Sequence, residues 1–176
     1  MSRWDELKEA MKDDPNYLVR TDWHENTPVI VTKAKYPGLT AEQLKDHLAD
    51  PLWIIPNLNN NMEVKKLEPD EEGNLRVMLT IGTPMMVSTR NCFVTYYLDR
   101  DAEKGTSTTI SSSLGNEALA AQHADDVGSN VLANMVITYQ RIEPMEEGGH
   151  SITQVTGFNV NGWIPGWVQN LSSSRQ

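Results

Sequence analysis

The most constraining feature of this sequence is a succession of short segments that alternate apolar and polar residues and are separated by turn signals. These segments occupy residues 62–67, 75–81, 91–98, 106–114, 131–142 and 151–160, and an earlier apolar segment lies at 29–31. Alternation with a period of two predicts β-strands that bury one face. Because most of the connections are short and rich in Gly and acidic residues, the strands are expected to form one antiparallel sheet.

Helical patterns flank these strands. Apolar residues recur at helical spacing over residues 4–11, and residues 40–48 begin with a capping pair and carry an apolar stripe. A last helix is predicted over residues 163–171, and the long, Ala-rich segment 114–128 is expected to be a loop with a short helix. The sequence therefore predicts an α+β fold, with an N-terminal helix and connecting segment at 1–27, one domain at 28–171 and a tail at 172–176.

Composition narrows the function classes. The 176 residues suit one domain. With 15 Lys and Arg against 24 Asp and Glu, the net charge is −9, which disfavours binding to nucleic acid and strong adhesion to anionic membranes. The lone cysteine, Cys92, cannot form an intrachain disulfide, so a cytoplasmic location is expected.

The sequence gives little support to catalysis or metal binding. Cys92 sits in an apolar strand pattern, which favours a packed thiol over a nucleophile. Residues 22–25 and 123–126 each combine a histidine with carboxylates, but neither cluster has a second histidine at zinc spacing. No phosphate-binding loop or nucleophile elbow is present. We therefore expect no enzyme activity, no cofactor and no metal.

Two patterns leave a structural and a functional interpretation open. Met78, Met85, Met86 and Met135 lie on or beside predicted strands, where they either fill the core or line a cavity for a flexible apolar ligand. The hydroxyl-rich strand at 106–113 directs every second side chain inward. Those hydroxyls need partners, which are either neighbouring backbone or a ligand headgroup.

Several motifs together resemble one known family. Residues 84–94, PMMVSTRNCFV, are similar to the Pro-x-Pro-x-Ser-x-Arg-Asp-Phe-Val signature of StAR-related lipid-transfer (START) domains. Ile-Glu-Pro at 142–144 followed by TQVT at 153–156 resembles a hairpin of that family, and GWIPGWVQN at 162–170 resembles the opening of its last helix. The resemblance implies a helix-grip fold, in which a curved antiparallel sheet wraps a C-terminal helix around an internal lipid tunnel.

The resemblance also implies a function. It predicts a monomer that binds one lipid or sterol-like molecule and carries it between membranes during transient contacts, with segment 114–128 as the gate. Alternatives are a lipid-sensing module that binds other proteins, and a cyclase or hydrolase on the same fold. The ligand-binding residues that it implies are Trp53, Val77, Leu79, Ile81, Met86, Arg90, Val94, Tyr96, Ile110, Ser112, Phe158, Trp163 and Trp167.

This sequence departs from the family where charge is concerned. The Arg-Asp pair of the signature is Arg90-Asn91 here, and positions that carry charged side chains in family pockets correspond to Val77, Tyr96 and Leu132. The resemblance therefore predicts a weakly polar ligand that Tyr96 and inward hydroxyls orient. Trp163 and Trp167 share one side of the last helix, where they either pack on the sheet or contact ligand or membrane.

Overall fold

A computed structural model describes residues 17–24, 27–38, 40, 52, 61–83, 87–159 and 161–162. The predicted helices at 4–11 and 163–171, and all but the first residue of the helix at 40–48, lie outside these residues. So do four of the proposed ligand-binding residues: Trp53, Met86, Trp163 and Trp167.

The described residues form mainly strands, as the alternation predicts. The first half of the chain contributes β1 (Tyr17–His24), β2 (Thr27–Tyr36), β3 (Met62–Lys66) and β4 (Leu75–Ile81). The second half contributes β5 (Arg90–Asp101), β6 (Thr106–Ser112), α1 (Glu117–Gln122), α2 (Ala124–Val127), β7 (Val131–Leu132), β8 (Asn134–Pro144) and β9 (His150–Asn159).

These strands form one sheet in the described part of the chain, in the order β1-β2-β9-β8-β6-β5-β4-β3. Every pairing along this order is antiparallel, while the two-residue β7 pairs in parallel with β5. The sheet is curved, and the fold is α+β as predicted. A bulge in β8 shifts the register to β9 between Met135 and Ile137.

The two faces of the sheet carry separate apolar clusters. The inner face, as we name it, carries Val77, Leu79 and Val94, none of which is exposed to solvent. The outer face carries Met78 and Phe93, which pack against residues outside the strands. Neighbours in a strand point to opposite faces, so the register assigns the other strand residues to one face or the other.

Strand β1 corrects the sequence prediction, which had a connecting segment at this place. Tyr17–His24 pairs with Thr27–Ala34 of β2 over its whole length. The signal was present, because Tyr, Val, Thr and Trp alternate at positions 17, 19, 21 and 23. Charged residues between them made the segment look like a polar loop.

The turn between β8 and β9 is closely packed against the turn that follows β2. Gly149 has a positive φ of 75°, and a Cβ at this position would lie 2.8 Å from Gly38 N and Pro37 Cα. It would also contact the carbonyl oxygen of Tyr36. The neighbouring Gly148, with φ 90°, has open space around the same position.

Candidate functional site

The inner face at β4 and β5 is an apolar surface assembled by cross-strand pairs. Val77 lies opposite Val94, and Leu79 opposite Cys92. All four side chains are fully buried, and Ala133 joins their cluster. Partly buried residues pack around it: Leu52, Met62, Val64, Leu75, Tyr96, Met135 and Phe158.

Sequence analysis proposed several members of this inner apolar cluster. Five of the residues proposed for ligand binding, Val77, Leu79, Val94, Tyr96 and Phe158, lie together in this cluster, and Ile81 shares their face opposite Arg90. Their contact with a ligand stays a prediction. Met135, which the sequence leaves open as core or cavity lining, packs against this cluster, while Leu52, Leu75 and Ala133 are members that the sequence patterns did not indicate. Period two could have found Leu75, whereas Ala133 depends on a chain path that no local pattern shows.

Two ionisable groups of the inner apolar cluster are held neutral. Burial raises the pKa of the Tyr96 phenol, and hydrogen bonding with Ser111 offsets only part of this effect. Burial also raises the pKa of the Cys92 thiol, to about 11. The thiol is fully buried, so the structure agrees with a packed cysteine rather than an exposed nucleophile.

Arg90 is buried, with 2% of its surface exposed, and it contacts backbone carbonyls. One guanidinium nitrogen donates to the carbonyl of Ser88, and another donates to the carbonyl of Asn161 at 3.2 Å. The second contact joins the start of β5 to the end of β9. The guanidinium thus stabilises the junction between two segments that are 71 residues apart.

Asn91 uses both ends of its amide on the outer face. Its Nδ2 donates to Thr80 Oγ1 at 3.0 Å, and its Oδ1 accepts from Asn130 Nδ2 at 2.7 Å. The Thr80 hydroxyl can donate as well as accept, so a carboxylate at this position could bond both partners, and these contacts do not by themselves require an amide.

The predicted face of β6 is wrong by one residue. Ile110 and Ser112 lie opposite Tyr97 and Thr95, on the outer face, while Ser111 lies opposite Tyr96. Ile110 is 39% exposed, and Ser112 Oγ donates to the carbonyl of Val136 at 2.9 Å. The inner hydroxyls of this strand belong to Ser107, Thr109 and Ser111.

The predicted gate segment also lies on the outer face. Leu119 of α1 is buried with Leu67, Met78 and Phe93, and Val127 of α2 packs against the same cluster. Asn116 anchors the segment, because its Nδ2 donates to the Phe93 carbonyl at 2.9 Å and its Oδ1 accepts from Thr95 Oγ1 at 3.2 Å. In this position the segment does not cover the inner face.

The histidine–carboxylate cluster at 123–126 is engaged in protein contacts. His123 Nδ1 lies 3.0 Å from Asp126 Oδ2, and Lys65 Nζ lies 2.7 Å from the other oxygen of that carboxylate. Hydrogen bonds from Lys65 and His123 lower the pKa of Asp126. Among the described residues, no group of three His, Cys, Asp or Glu side chains is arranged to hold a metal ion.

No helix in the described part of the chain is long and apolar enough to cross a membrane.

Comparisons with known proteins find a likeness in structure but none in sequence. No protein-family profile and no curated protein matches the sequence. Solved structures do match. The human StarD13 (DLC2) lipid transfer and protein localization domain matches at 14% identity and a TM-score of 0.61, and the match covers 97% of this chain and 90% of that domain's chain. Human StAR-related lipid transfer protein 5 matches at 10% identity and a TM-score of 0.63, over 97% of this chain and 88% of the other. The STAR-related lipid transfer protein of Xanthomonas axonopodis matches at 15% identity and a TM-score of 0.61, with 91% and 86% covered. At these identities the likeness is one of fold.

Proposed function

Because this chain has the α+β helix-grip fold of StAR-related lipid-transfer domains, we propose that it binds one lipid or other hydrophobic molecule on its inner face and carries it between membranes. The observation that carries the proposal is the inner apolar cluster around Val77, Leu79 and Val94. An apolar chain that is buried against such a surface gains about 0.8 kcal/mol per CH₂ group, so an acyl chain or sterol gains substantial affinity.

The chemistry of this cluster favours binding over catalysis. The residues that form it or pack against it include no histidine and no carboxylate among those described. Its two ionisable groups, Cys92 and Tyr96, have pKa values raised by burial and are neutral at physiological pH. An acid or base catalyst works best with a pKa near the operating pH, which neither group has.

The net charge of −9 supports transfer by short visits to membranes. An acidic protein is not held on anionic headgroups, so we expect weak attraction and rapid release. We propose that the protein does this as a monomer.

Native mass spectrometry of the purified protein, followed by lipid extraction, tests ligand binding. We expect one hydrophobic molecule per chain. Transfer is then measured as the movement of a fluorescent lipid from quenched donor vesicles to acceptor vesicles. Retained ligand without accelerated transfer would favour the lipid-sensing alternative, and the absence of any saturable ligand would contradict the proposal.

A matched pair of variants on β9 ties the result to the inner face. Phe158→Arg places a charge beside the inner apolar cluster, whereas Val155→Arg places the same charge on the outer face, opposite Tyr139. We expect the first variant to lose ligand and transfer, and the second to keep both. Circular dichroism of each variant checks that it is folded.

A further inference from the structure

The inner face changes character from one side of the sheet to the other. Its β4 and β5 portion is dominated by the inner apolar cluster, but its β2, β6, β8 and β9 portion is mostly polar. We use the name polar patch for six uncharged residues there: Thr32, Thr109, Thr138, Gln140, Gln154 and Thr156.

The register places this polar patch on the inner face. Tyr96 lies opposite Ser111, and Ser111 lies opposite Thr138, so the three share one face. Two rows then cross the strands, Thr109–Gln140–Gln154–Thr32 and Ser111–Thr138–Thr156. The six patch side chains are half-buried.

Most of the hydrogen-bonding capacity of the polar patch is uncommitted. Gln154 Nε2 donates to Thr156 Oγ1 at 3.3 Å, which is a contact within the patch. In the described part of the chain, the Gln140 amide and the Thr138 hydroxyl make no side-chain hydrogen bond. Nearby on the same face, Ser107 Oγ is buried without a partner among the described atoms. Buried and half-buried groups of this kind are normally satisfied by water or by a ligand.

The polar patch offers no countercharge. Inner positions at 30–34, 107–111, 138–142 and 152–158 carry no charged side chain. The Arg90 guanidinium donates to the carbonyls of Ser88 and Asn161, and Arg100, opposite Ser107, is exposed at the far end of β5. A phosphate brought to the patch would lose water without gaining an opposite charge, which is costly.

Resting on the proposed lipid-binding function, we infer that the ligand is an uncharged amphiphile whose polar end carries hydroxyl or amide groups. The polar patch binds that end, and the inner apolar cluster contacts the hydrocarbon. Gln and Thr side chains both donate and accept, so they suit hydroxyl and amide groups and do not require a charge.

Three probes with the same acyl chain separate the possibilities. Monoolein has two free hydroxyls, methyl oleate has none, and oleoyl lysophosphatidic acid has a phosphate. The protein is incubated with all three at equal concentration, and native mass spectrometry measures the bound fractions. We expect monoolein to exceed methyl oleate about tenfold, as two additional net hydrogen bonds imply. We also expect it to exceed lysophosphatidic acid, because the phosphate finds no opposite charge at the patch.

Paired variants assign this preference to the polar patch. Gln140→Leu with Gln154→Leu removes two facing amides on the inner face, and Arg141→Leu with Thr153→Leu changes two facing residues on the outer face of the same strands. The inner double variant should bind monoolein and methyl oleate equally, while the outer one keeps the preference. The single variant Gln154→Met provides a milder test if the inner double variant does not fold.

The experiment distinguishes a failure of the proposed lipid-binding function from a failure of the inference about the ligand's polar end. If no probe binds to the wild-type protein, the proposed function fails, and this inference fails with it. If methyl oleate binds but monoolein is not preferred, or if lysophosphatidic acid is preferred, lipid binding stands and the uncharged polar end is wrong. A monoolein preference that survives in the folded inner variants would overturn the role of the patch.

Discussion

Tyr96 and Ser111 lie directly opposite each other on β5 and β6, at the border between the apolar and polar parts of the inner face. Ser111 Oγ donates to the sulfur of Met135 at 3.5 Å, and Ser111 is 1% exposed. Tyr96 packs against the inner apolar cluster, so the pair joins the apolar part of the inner face to the first hydroxyl of its polar part.

We predict that Tyr96 and Ser111 are energetically coupled. Tyr96→Phe and Ser111→Ala should each lower the free energy of unfolding by about 0.5–1.5 kcal/mol, because each removes a hydroxyl from a directly opposed cross-strand pair. A double-mutant cycle by urea denaturation should give a coupling of about 0.5 kcal/mol or more. Tyr97→Phe, on the exposed outer face, serves as the control and should change stability little. Strict additivity would show that the pair does not interact.

Replacing Arg90 should lower the free energy of unfolding even when no ligand is bound. Arg90→Met leaves the carbonyls of Ser88 and Asn161 without their donors, and we expect a loss of about 2–4 kcal/mol in the free energy of unfolding. Arg90→Lys should recover only part of it, because one ammonium lacks the forked geometry of a guanidinium. Chemical denaturation measures both.

The control for Arg90 is Arg100→Met on the same strand, where the side chain is exposed. This variant should stay within about 0.5 kcal/mol of the parent protein. Equal stability of the Arg90→Met and Arg100→Met variants would refute a structural role for Arg90.

Cys92 should make stability fall at alkaline pH. Its pKa in the folded state is raised to about 11 by burial, whereas an unfolded thiol titrates near about 8.5. Below both values the thiol is protonated in either state. Between them the unfolded state loses the proton first, so the free energy of unfolding falls by about 2–3 kcal/mol as pH rises.

Urea denaturation at pH 8 and pH 10.5, with Cys92→Ala as the reference, isolates this contribution. The alanine variant is less stable at both pH values because of the cavity, but it should lose less between them. Parallel pH dependences in the two proteins would contradict a raised pKa at Cys92.

Adjacent glycines in the β8–β9 turn should respond differently to alanine. Gly148→Ala and Gly149→Ala both place a side chain at positive φ, which costs about 1 kcal/mol. Only at Gly149 does the new Cβ meet fixed backbone, at Pro37 Cα and Gly38 N. Thermal and urea unfolding should show a loss of about 3 kcal/mol or more for Gly149→Ala. Similar losses in both variants would mean that the two turns do not touch.

The sequence predicted the fold better than it predicted the faces of individual strands. Alternation located β4 and β5 well, and it correctly assigned Val77, Leu79, Val94 and Tyr96 to one face. These strands are apolar on the buried side, so their pattern has one interpretation. The likeness of the sequence motifs to START domains supplied the topology, which the solved structures confirm as the fold.

Strand β6 shows where such reasoning fails. Hydroxyl residues occupy both of its faces, so Ile110 was the only strong apolar signal, and it is an exposed outer-face residue. The correct face depends on the hairpin between Asp101 and Thr106, which are register partners. A change of one residue in such a turn exchanges the two faces of the returning strand, and the sequence does not fix turn length that closely.

The bulge in β8 has a consequence for how this chain tolerates insertions and deletions. Met135 and Thr138 both reach the inner face although they are three residues apart, because the register shifts between them. Deleting the extra residue at the bulge would restore strict alternation, and Met135 and Thr138, then two residues apart, would both still reach the inner face. Deleting Thr138 with the bulge kept would instead move Tyr139 and Arg141 to the inner positions of Thr138 and Gln140. In an alignment with a related chain, a one-residue gap at the bulge therefore preserves the binding surface, whereas the same gap later in β8 marks a different one.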